Sequence, residues 1–244
     1  MTKNHVRILR AAAVLLSACV LLSACKKAPD ASKNSQTAKK ETTSVSTKQD
    51  TKSDDTVKVG GTKDDKKFKD IKVKAFYLTG SSAGSSKVID HIIALSKTTE
   101  LNAVVIDVKD DFGKVNYTTD FADAKSIGAY SKFYDAESIV KKLHDNNIYV
   151  IGRIVTFKDP LLGEKRPDLA IKRPNGQVYR ENNVAWMNAY QEDVWKYNIG
   201  IAKDAVSKGF DEIQFDYVRF PAARKSDVNF GQNPGTKADA IGNF

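Results

Sequence analysis

The side chain that is best suited to take part in a chemical reaction is Asp216, in the segment Gly209–Pro221. Apolar, aromatic and β-branched residues from Ile213 to Val218 predict a strand around it. Because side chains alternate along a strand, Asp216 is expected on one face and Tyr217 on the opposite face, which a helix would cover. A carboxylate near the C-terminal end of a parallel strand lies where barrel enzymes carry out their chemistry. Asp216 is therefore the first candidate for a catalytic residue.

Two further charged residues are expected near Asp216. Arg153 interrupts the apolar segment Ile148–Val155, and Asp107 lies close to the end of another apolar segment. A charge that faces the interior is costly unless it is paired. We therefore predict an Asp107–Arg153–Asp216 network that also keeps Asp216 ionised, as a nucleophile must be. A purely structural pairing of Asp107 with Arg153 explains those two residues equally well.

Alternating strands and helices must position these side chains. Strands are predicted at Val73–Thr79, Ala103–Val108, Ile148–Val155 and Ile213–Val218, with helices at Ser85–Thr99, after an Asp135 N-cap, and at Glu192–Lys208. Short links precede the strands and long links follow them, which is typical of the active-site face of a parallel barrel.

The pattern predicts an α/β fold, the N-terminal half of a (β/α)8 TIM barrel that is truncated after about four βα units. A doubly wound open sheet is the alternative. The segment Gly80–Gly84 after the first strand matches neither nucleotide-binding fingerprint, which disfavours that alternative.

The first 70 residues differ in composition from the rest. Residues 1–25 combine a basic start with an apolar run that ends at Cys25, and they predict a lipoprotein signal peptide with Cys25 lipidated. Cys19 follows a similar tetrapeptide and is the alternative site. Residues 26–70, rich in Lys, Ser and Thr, predict a disordered linker, which leaves 71–244 as the folded domain. We expect attachment to the extracytoplasmic face of the cell membrane.

The formal net charge of +9 lies mainly in the leader and linker. Residues 71–244 contain 24 basic and 22 acidic side chains, so the domain is nearly neutral. A nucleic-acid partner is therefore not expected.

Five segments together resemble a known family: Ala75–Thr79, Val105–Lys109, Gly152–Pro160, Trp186–Asn188 and Gly209–Pro221. They are similar to the glycoside hydrolase domain of bacterial secreted and lipid-anchored proteins, a TIM-barrel family distantly similar to the α-amylase superfamily. In α-amylase-like barrels the carboxylate that ends strand four is the nucleophile, and a Glu that ends strand five is the acid. The resemblance, which covers about residues 71–244, implies that Asp216 is the nucleophile and that the acid is missing downstream. Gln214 departs from the pattern because α-amylases carry Arg there, and Arg153 or Arg219 is expected to supply that charge.

The remaining candidates for contacts with a substrate are Tyr77, Lys158, Asp159, Trp186, Asn188 and Arg219. Tyr77 is expected either to hydrogen-bond a sugar or to fill the barrel, and Trp186 to offer a stacking platform for a pyranose. Lys158 and Asp159 predict a charged pair at the rim, with a surface turn as the alternative. Asn188 is a candidate for a contact with a sugar hydroxyl.

No cofactor or metal is expected. His5, His91 and His144 lack the spacing of metal ligands. Asp110 and Asp111 follow Asp107 closely enough to bind Ca²⁺ in principle, but acids near a strand end are usually solvated.

Together with these patterns, the resemblance implies a glycoside hydrolase that acts on a cell-envelope or extracellular polysaccharide by acid/base hydrolysis, with Asp216 as nucleophile. Without the acid, this fragment is expected to be inactive. The alternative is a non-catalytic glycan-binding or envelope-assembly lipoprotein on the same barrel.

Overall fold

A computed structural model describes residues 71–231 and 235–244. The strands are β1 (Ala75–Leu78), β2 (Ala103–Lys109), β3 (Tyr149–Val155), β4 (Arg180–Glu181), β5 (Val184–Ala185) and β6 (Glu212–Asp216). The helices are α1 (Gly80–Ala83), α2 (Ser86–Ser96), α3 (Ala122–Ser126), α4 (Ala136–His144), α5 (Pro160–Lys165), α6 (Glu192–Ser207) and α7 (Lys237–Asn243). Two short 3-10 helices cover Pro167–Leu169 and Lys225–Asp227.

The main sheet has four parallel strands in the order β1-β2-β3-β6, and β4 pairs with β5 in a separate antiparallel hairpin. Each strand of the main sheet lies beside the one that precedes it along the chain. A doubly wound sheet reverses its direction of growth from an inner strand, so this order excludes the alternative fold. The order confirms an α/β architecture of four βα units, as in half of a TIM barrel.

The helices begin and end where local chemistry requires. The side chain of Asp135 accepts a hydrogen bond from the Ser138 N–H at the start of α4, as predicted, and Val140 and Leu143 on that helix are buried. After α6 the chain turns at Gly209, where φ is +98°. Thr236 begins α7 through a reciprocal pair of hydrogen bonds with Asp239.

The core lies around β2 and β3, which are the central strands and therefore have a neighbour on each side. Their buried apolar side chains include Val104, Ile106, Val108, Val150 and Ile154. Such nearly continuous apolar segments are typical of parallel strands that are covered by helices. The central strands thus form a firm base for the polar side chains at their C-terminal ends.

The end of β6 differs from the prediction. The strand stops at Asp216 because Tyr217 has a φ of +54°, a left-handed conformation that L-residues rarely adopt. The alternation of side chains therefore fails at this position. The prediction that Tyr217 lies on a face covered by a helix is therefore wrong, and its ring instead contacts Trp186 and Arg219.

The predicted lipidation sites Cys25 and Cys19, and the boundaries predicted within residues 1–70, lie outside the described residues. Within residues 71–231 and 235–244, none of the helices has the length and apolar character needed to cross a membrane.

Candidate active site

Arg153 lies at the centre of a charged cluster on the parallel sheet. Its Nη1 donates to Asp107 Oδ1 at 2.8 Å, while its Nε and Nη2 donate to Asp216 Oδ2 at 2.9 and 2.7 Å. The register of the sheet explains both contacts. Arg153 on β3 lies opposite Asp107 on β2 and opposite Gln214 on β6, and Asp216 follows Gln214 by two residues, on the same face of β6. The contacts of the predicted Asp107–Arg153–Asp216 network are therefore present.

Asp107 is the buried member of this network, with 3% of its surface exposed. Its Oδ2 accepts a hydrogen bond of 2.6 Å from the Tyr77 hydroxyl. Burial, together with this hydrogen bond to Asp107, raises the pKa of Tyr77 to about 12. The hydroxyl therefore remains protonated at neutral pH and continues to donate. Tyr77 has its oxygen committed to Asp107, while half of its surface stays exposed.

Asp216 is the accessible carboxylate, with a side chain that is 43% exposed. Its Oδ1 accepts a hydrogen bond of 2.6 Å from the N–H of the next residue, Tyr217. Burial alone would raise the pKa of Asp216, but hydrogen bonds from Arg153 and Tyr217 and the charges of Arg153 and Arg219 lower it below its usual value. Asp216 is therefore ionised at neutral pH.

Asp111 extends the cluster, although the sequence indicated it only as part of the disfavoured Ca²⁺ site. Asp111 Oδ1 accepts from Lys158 Nζ at 2.7 Å, and its Oδ2 lies 3.6 Å from Arg153 Nη2. The Lys158 ammonium also lies 4.6 Å from the centroid of the Tyr217 ring. The signals that could have identified these residues are the position of Asp111 just after β2 and that of Tyr217 just after β6.

Two residues that were predicted to contact a substrate are buried, and their polar side-chain atoms are already hydrogen-bonded. Asp159 does not pair with Lys158: its Oδ1 caps α5 through the Leu162 N–H, and its Oδ2 accepts from the buried Lys109 Nζ at 2.8 Å. Asn188 is also buried, and its side-chain amide bonds the backbone of loop residues 190 and 230. Neither side chain is accessible to a sugar.

Trp186 is also buried, so the predicted stacking platform at this position is wrong. The Tyr217 ring meets it edge-on at 5.9 Å, and the Arg219 guanidinium lies 4.6 Å from the centroid of its ring. Trp186 therefore supports Tyr217 through an aromatic contact and Arg219 through a cation–π contact, and these contacts hold both side chains in place.

Arg153 and Asp216 lie at an open cleft of about 500 Å³. It is lined by Arg153, Phe215, Asp216, Tyr217, Val218 and Arg219. Among the described residues, no three His, Cys, Asp or Glu side chains are grouped so as to bind a metal ion. The cleft thus presents an ionised carboxylate beside fixed cations and aromatic rings.

Several solved structures are similar to this chain. A crystal structure of a hypothetical protein from Ruminiclostridium thermocellum ATCC 27405 is 46% identical, and the match covers 69% of this chain and 87% of that chain with a TM-score of 0.66. A cycloalternan-degrading enzyme from Trueperella pyogenes is 15% identical, and the match covers 68% of this chain and 27% of that chain with a TM-score of 0.47. A noncanonic maltogenic α-amylase from Thermotoga neapolitana is 15% identical over 59% of this chain and 38% of that chain, with a TM-score of 0.42.

No curated protein matches the chain. Residues 75–244 match the family described as "Putative glycosyl hydrolase domain", which covers well over half of the chain. The resemblance seen in the sequence is thereby confirmed. The chain belongs to this family of glycosyl hydrolase-type domains.

Proposed function

We propose that the domain cleaves glycosidic bonds in a cell-envelope or extracellular polysaccharide, with Asp216 as the nucleophile. The observation that carries the proposal is the accessible Asp216 carboxylate at the C-terminal end of β6, kept ionised by Arg153 beside a cleft of about 500 Å³. Membership of a glycosyl hydrolase family supports a glycosidase-like role.

In this mechanism an Asp216 oxygen bonds to the anomeric carbon as the bond from that carbon to the leaving oxygen breaks. An acid gives its proton to the leaving oxygen, and water then releases the sugar from Asp216. Arg153 fixes the orientation of Asp216 through Nε and Nη2, and its remaining contact with Asp107 holds the guanidinium in place during the reaction.

Because Asp216 forms a covalent intermediate, the acid must be a second carboxyl group about 5–5.5 Å from it, as in retaining enzymes. Asp107 and Asp111 are already paired with Arg153 and Lys158. We therefore assign the acid to neither of these two residues.

The test is Asp216→Asn in the full-length protein, assayed for the release of reducing ends from a panel of envelope and extracellular polysaccharides. We expect hydrolysis to fall by about a thousandfold or more, the loss that follows removal of a catalytic nucleophile. Asp145→Asn is the matched control, because it removes an exposed carboxylate that is paired with Lys141 on α4. Unchanged hydrolysis in Asp216→Asn would remove Asp216 from the mechanism.

A second candidate function is glycan binding without hydrolysis. It is favoured by the hydrogen bonds to Asp216, whose two oxygens already accept from Nε and Nη2 of Arg153 and from the Tyr217 N–H. A carboxylate has about four lone-pair sites, so one remains free. A binder would retain glycan without releasing reducing ends, and Asp216→Asn would weaken its affinity rather than a rate.

We also propose that Cys25 carries a lipid that attaches the protein to the extracytoplasmic face of the membrane. The support is the basic and apolar sequence that precedes it. The test is metabolic labelling with an alkynyl fatty acid in a bacterial host. Cys25→Ala should abolish labelling and Cys19→Ala should preserve it, and the reverse result would assign the lipid to Cys19.

A further inference from the structure

Phe112 is the most exposed of the large apolar side chains in the described ranges, with 74% of its surface accessible. It follows Asp111, whose carboxylate contacts Lys158 and Arg153. An exposed apolar ring thus belongs to the residue that directly follows a member of the charged cluster along the chain. Leaving such a ring in water forfeits the free energy of its burial, which for a Phe side chain is about 1.5–3 kcal/mol.

The loop that carries Phe112 is firmly built. Asp110 Oδ1 accepts from the N–H groups of Phe112 and Lys114 at 2.9 and 3.0 Å, and the Asp110 N–H donates to the Lys114 carbonyl at 3.0 Å. Gly113 has a φ of +81°, and a Cβ there would lie 2.1 Å from Asp159 Oδ1. The loop therefore packs closely against a buried side chain, while the Phe112 ring remains exposed.

A pyranose ring matches this combination of groups. Its C–H face is apolar and weakly positive, so it stacks on the negative face of an aromatic ring, while its hydroxyls bond carboxylates and ammonium groups at the edge. Asp111, the residue before Phe112, and its partner Lys158 provide such groups. Trp186, the aromatic residue that the sequence indicated for stacking, is buried and unavailable.

We propose that Phe112 is the stacking platform for a sugar ring at a subsite that adjoins Asp216. The glycan ligand rests on the proposed function, but the proposal does not require hydrolysis. Phe112 acts in binding alone, so its loss should affect the affinity for glycan and the KM, and leave kcat nearly unchanged.

Binding by the full-length protein should be measured by calorimetry with maltohexaose, cellohexaose, chitohexaose and a peptidoglycan muropeptide. For the oligosaccharide that the wild type binds, Phe112→Ala and Phe112→Leu should raise Kd about tenfold, equivalent to about 1.4 kcal/mol. Phe112→Tyr retains the ring face and should bind within about twofold of the wild type. Because Phe112 is exposed, these variants should fold normally, as circular dichroism will show.

Phe133→Ala is the matched control, because it removes an exposed ring that lines a different cavity, together with Tyr134 and Lys208. It should leave Kd unchanged. A second readout is ¹⁹F NMR with 4-fluorophenylalanine, in which the signal that disappears in Phe112→Tyr should be the one that shifts when the oligosaccharide binds.

The proposal is overturned if the wild type binds none of the four probes, if Phe112→Ala binds as tightly as the wild type, or if Phe112→Tyr is as weak as Phe112→Leu. Failure of the proposed hydrolysis gives a different pattern. In that case no reducing ends are released, while binding still depends on the ring at Phe112.

Discussion

Replacing Arg153 with methionine removes the cation that joins Asp107 to Asp216 and retains an unbranched side chain in its place. The guanidinium donates three hydrogen bonds to these two carboxylates, and its side chain is only 13% exposed. After the substitution, the nearly buried Asp107 carboxylate keeps the Tyr77 hydroxyl as a donor but loses its partner charge. Asp216 is better solvated, so we expect most of the destabilisation to come from Asp107.

The magnitude follows from the burial of the pair. Two unit charges about 4 Å apart attract each other by about 4 kcal/mol at an effective dielectric constant near 20. Removal of one member of a buried pair costs about 3–5 kcal/mol because the other charge is left without compensation. We therefore expect Arg153→Met to lower the free energy of unfolding by about 3–5 kcal/mol. Adding Asp107→Asn should recover part of this loss, since a neutral amide needs no counter-charge.

The assay is urea unfolding at pH 7, followed by far-ultraviolet circular dichroism. Arg166→Met is the matched control, because Arg166 also donates from Nε and Nη2 to a single carboxylate, Asp168, but both side chains are about half exposed. An exposed pair contributes about 0–1 kcal/mol, so this variant should lose no more than that.

Two results would refute this reasoning. One is an Arg153→Met variant that loses no more free energy of unfolding than Arg166→Met, which would mean that water compensates Asp107. The other is a double variant, Arg153→Met with Asp107→Asn, that is no more stable than Arg153→Met alone. That result would attribute the loss to packing around the aliphatic part of Arg153 rather than to charge.

Three further predictions concern neighbouring groups. The pKa of Asp216 is lowered below its usual value of 3.8, so Asp216 loses its charge only when the pH falls through that lowered pKa. Arg153→Met should raise the pKa of Asp216 and move the acid limb of the pH profile of kcat/KM to higher pH. An acid limb at the same pH would show that Arg153 does not set this pKa. Lys109→Met leaves the buried Asp159 carboxylate without its cation and should lower the free energy of unfolding by about 3–5 kcal/mol in urea, whereas a loss below about 1 kcal/mol would contradict a buried ion pair. Tyr217→Gly removes the strain of the left-handed backbone, so its free energy of unfolding should exceed that of Tyr217→Ala by about 1 kcal/mol and its urea midpoint should be higher. Equal midpoints would show that the backbone is not strained at this φ.

The arrangement of the fold could be predicted from local patterns. Apolar segments of strand length, separated by amphipathic helices, indicate parallel βα units, and Asp135 identifies a helix start because its side chain satisfies a free N–H of the first turn. The contacts of Arg153 were also predictable. A charge in an apolar strand requires anions, and the parallel strands bring Asp107 and Asp216 to the same edge.

The roles of loop side chains could not be read in the same way. Lys158 and Asp159 are adjacent in sequence, yet one contacts Asp111 and the other is buried against Lys109, which is 50 positions away. The role of Asn188 was equally unpredictable, because its side-chain amide bonds the backbone of residues 190 and 230, which are far apart in the sequence. Loop conformation determines these contacts, and sequence spacing does not encode it.

The sequence alone thus determined the βα order, the family and the cluster around Arg153, because these depend on periodic burial and on the cost of an unpaired charge. Only the tertiary structure decided which rings meet solvent. Trp186 is covered by Tyr217 and Arg219, while Phe112 is exposed on a loop that packs against Asp159. The physical reason is that exposure depends on which distant segments approach a side chain, and a left-handed residue such as Tyr217 redirects the chain without a signal in the hydrophobic pattern.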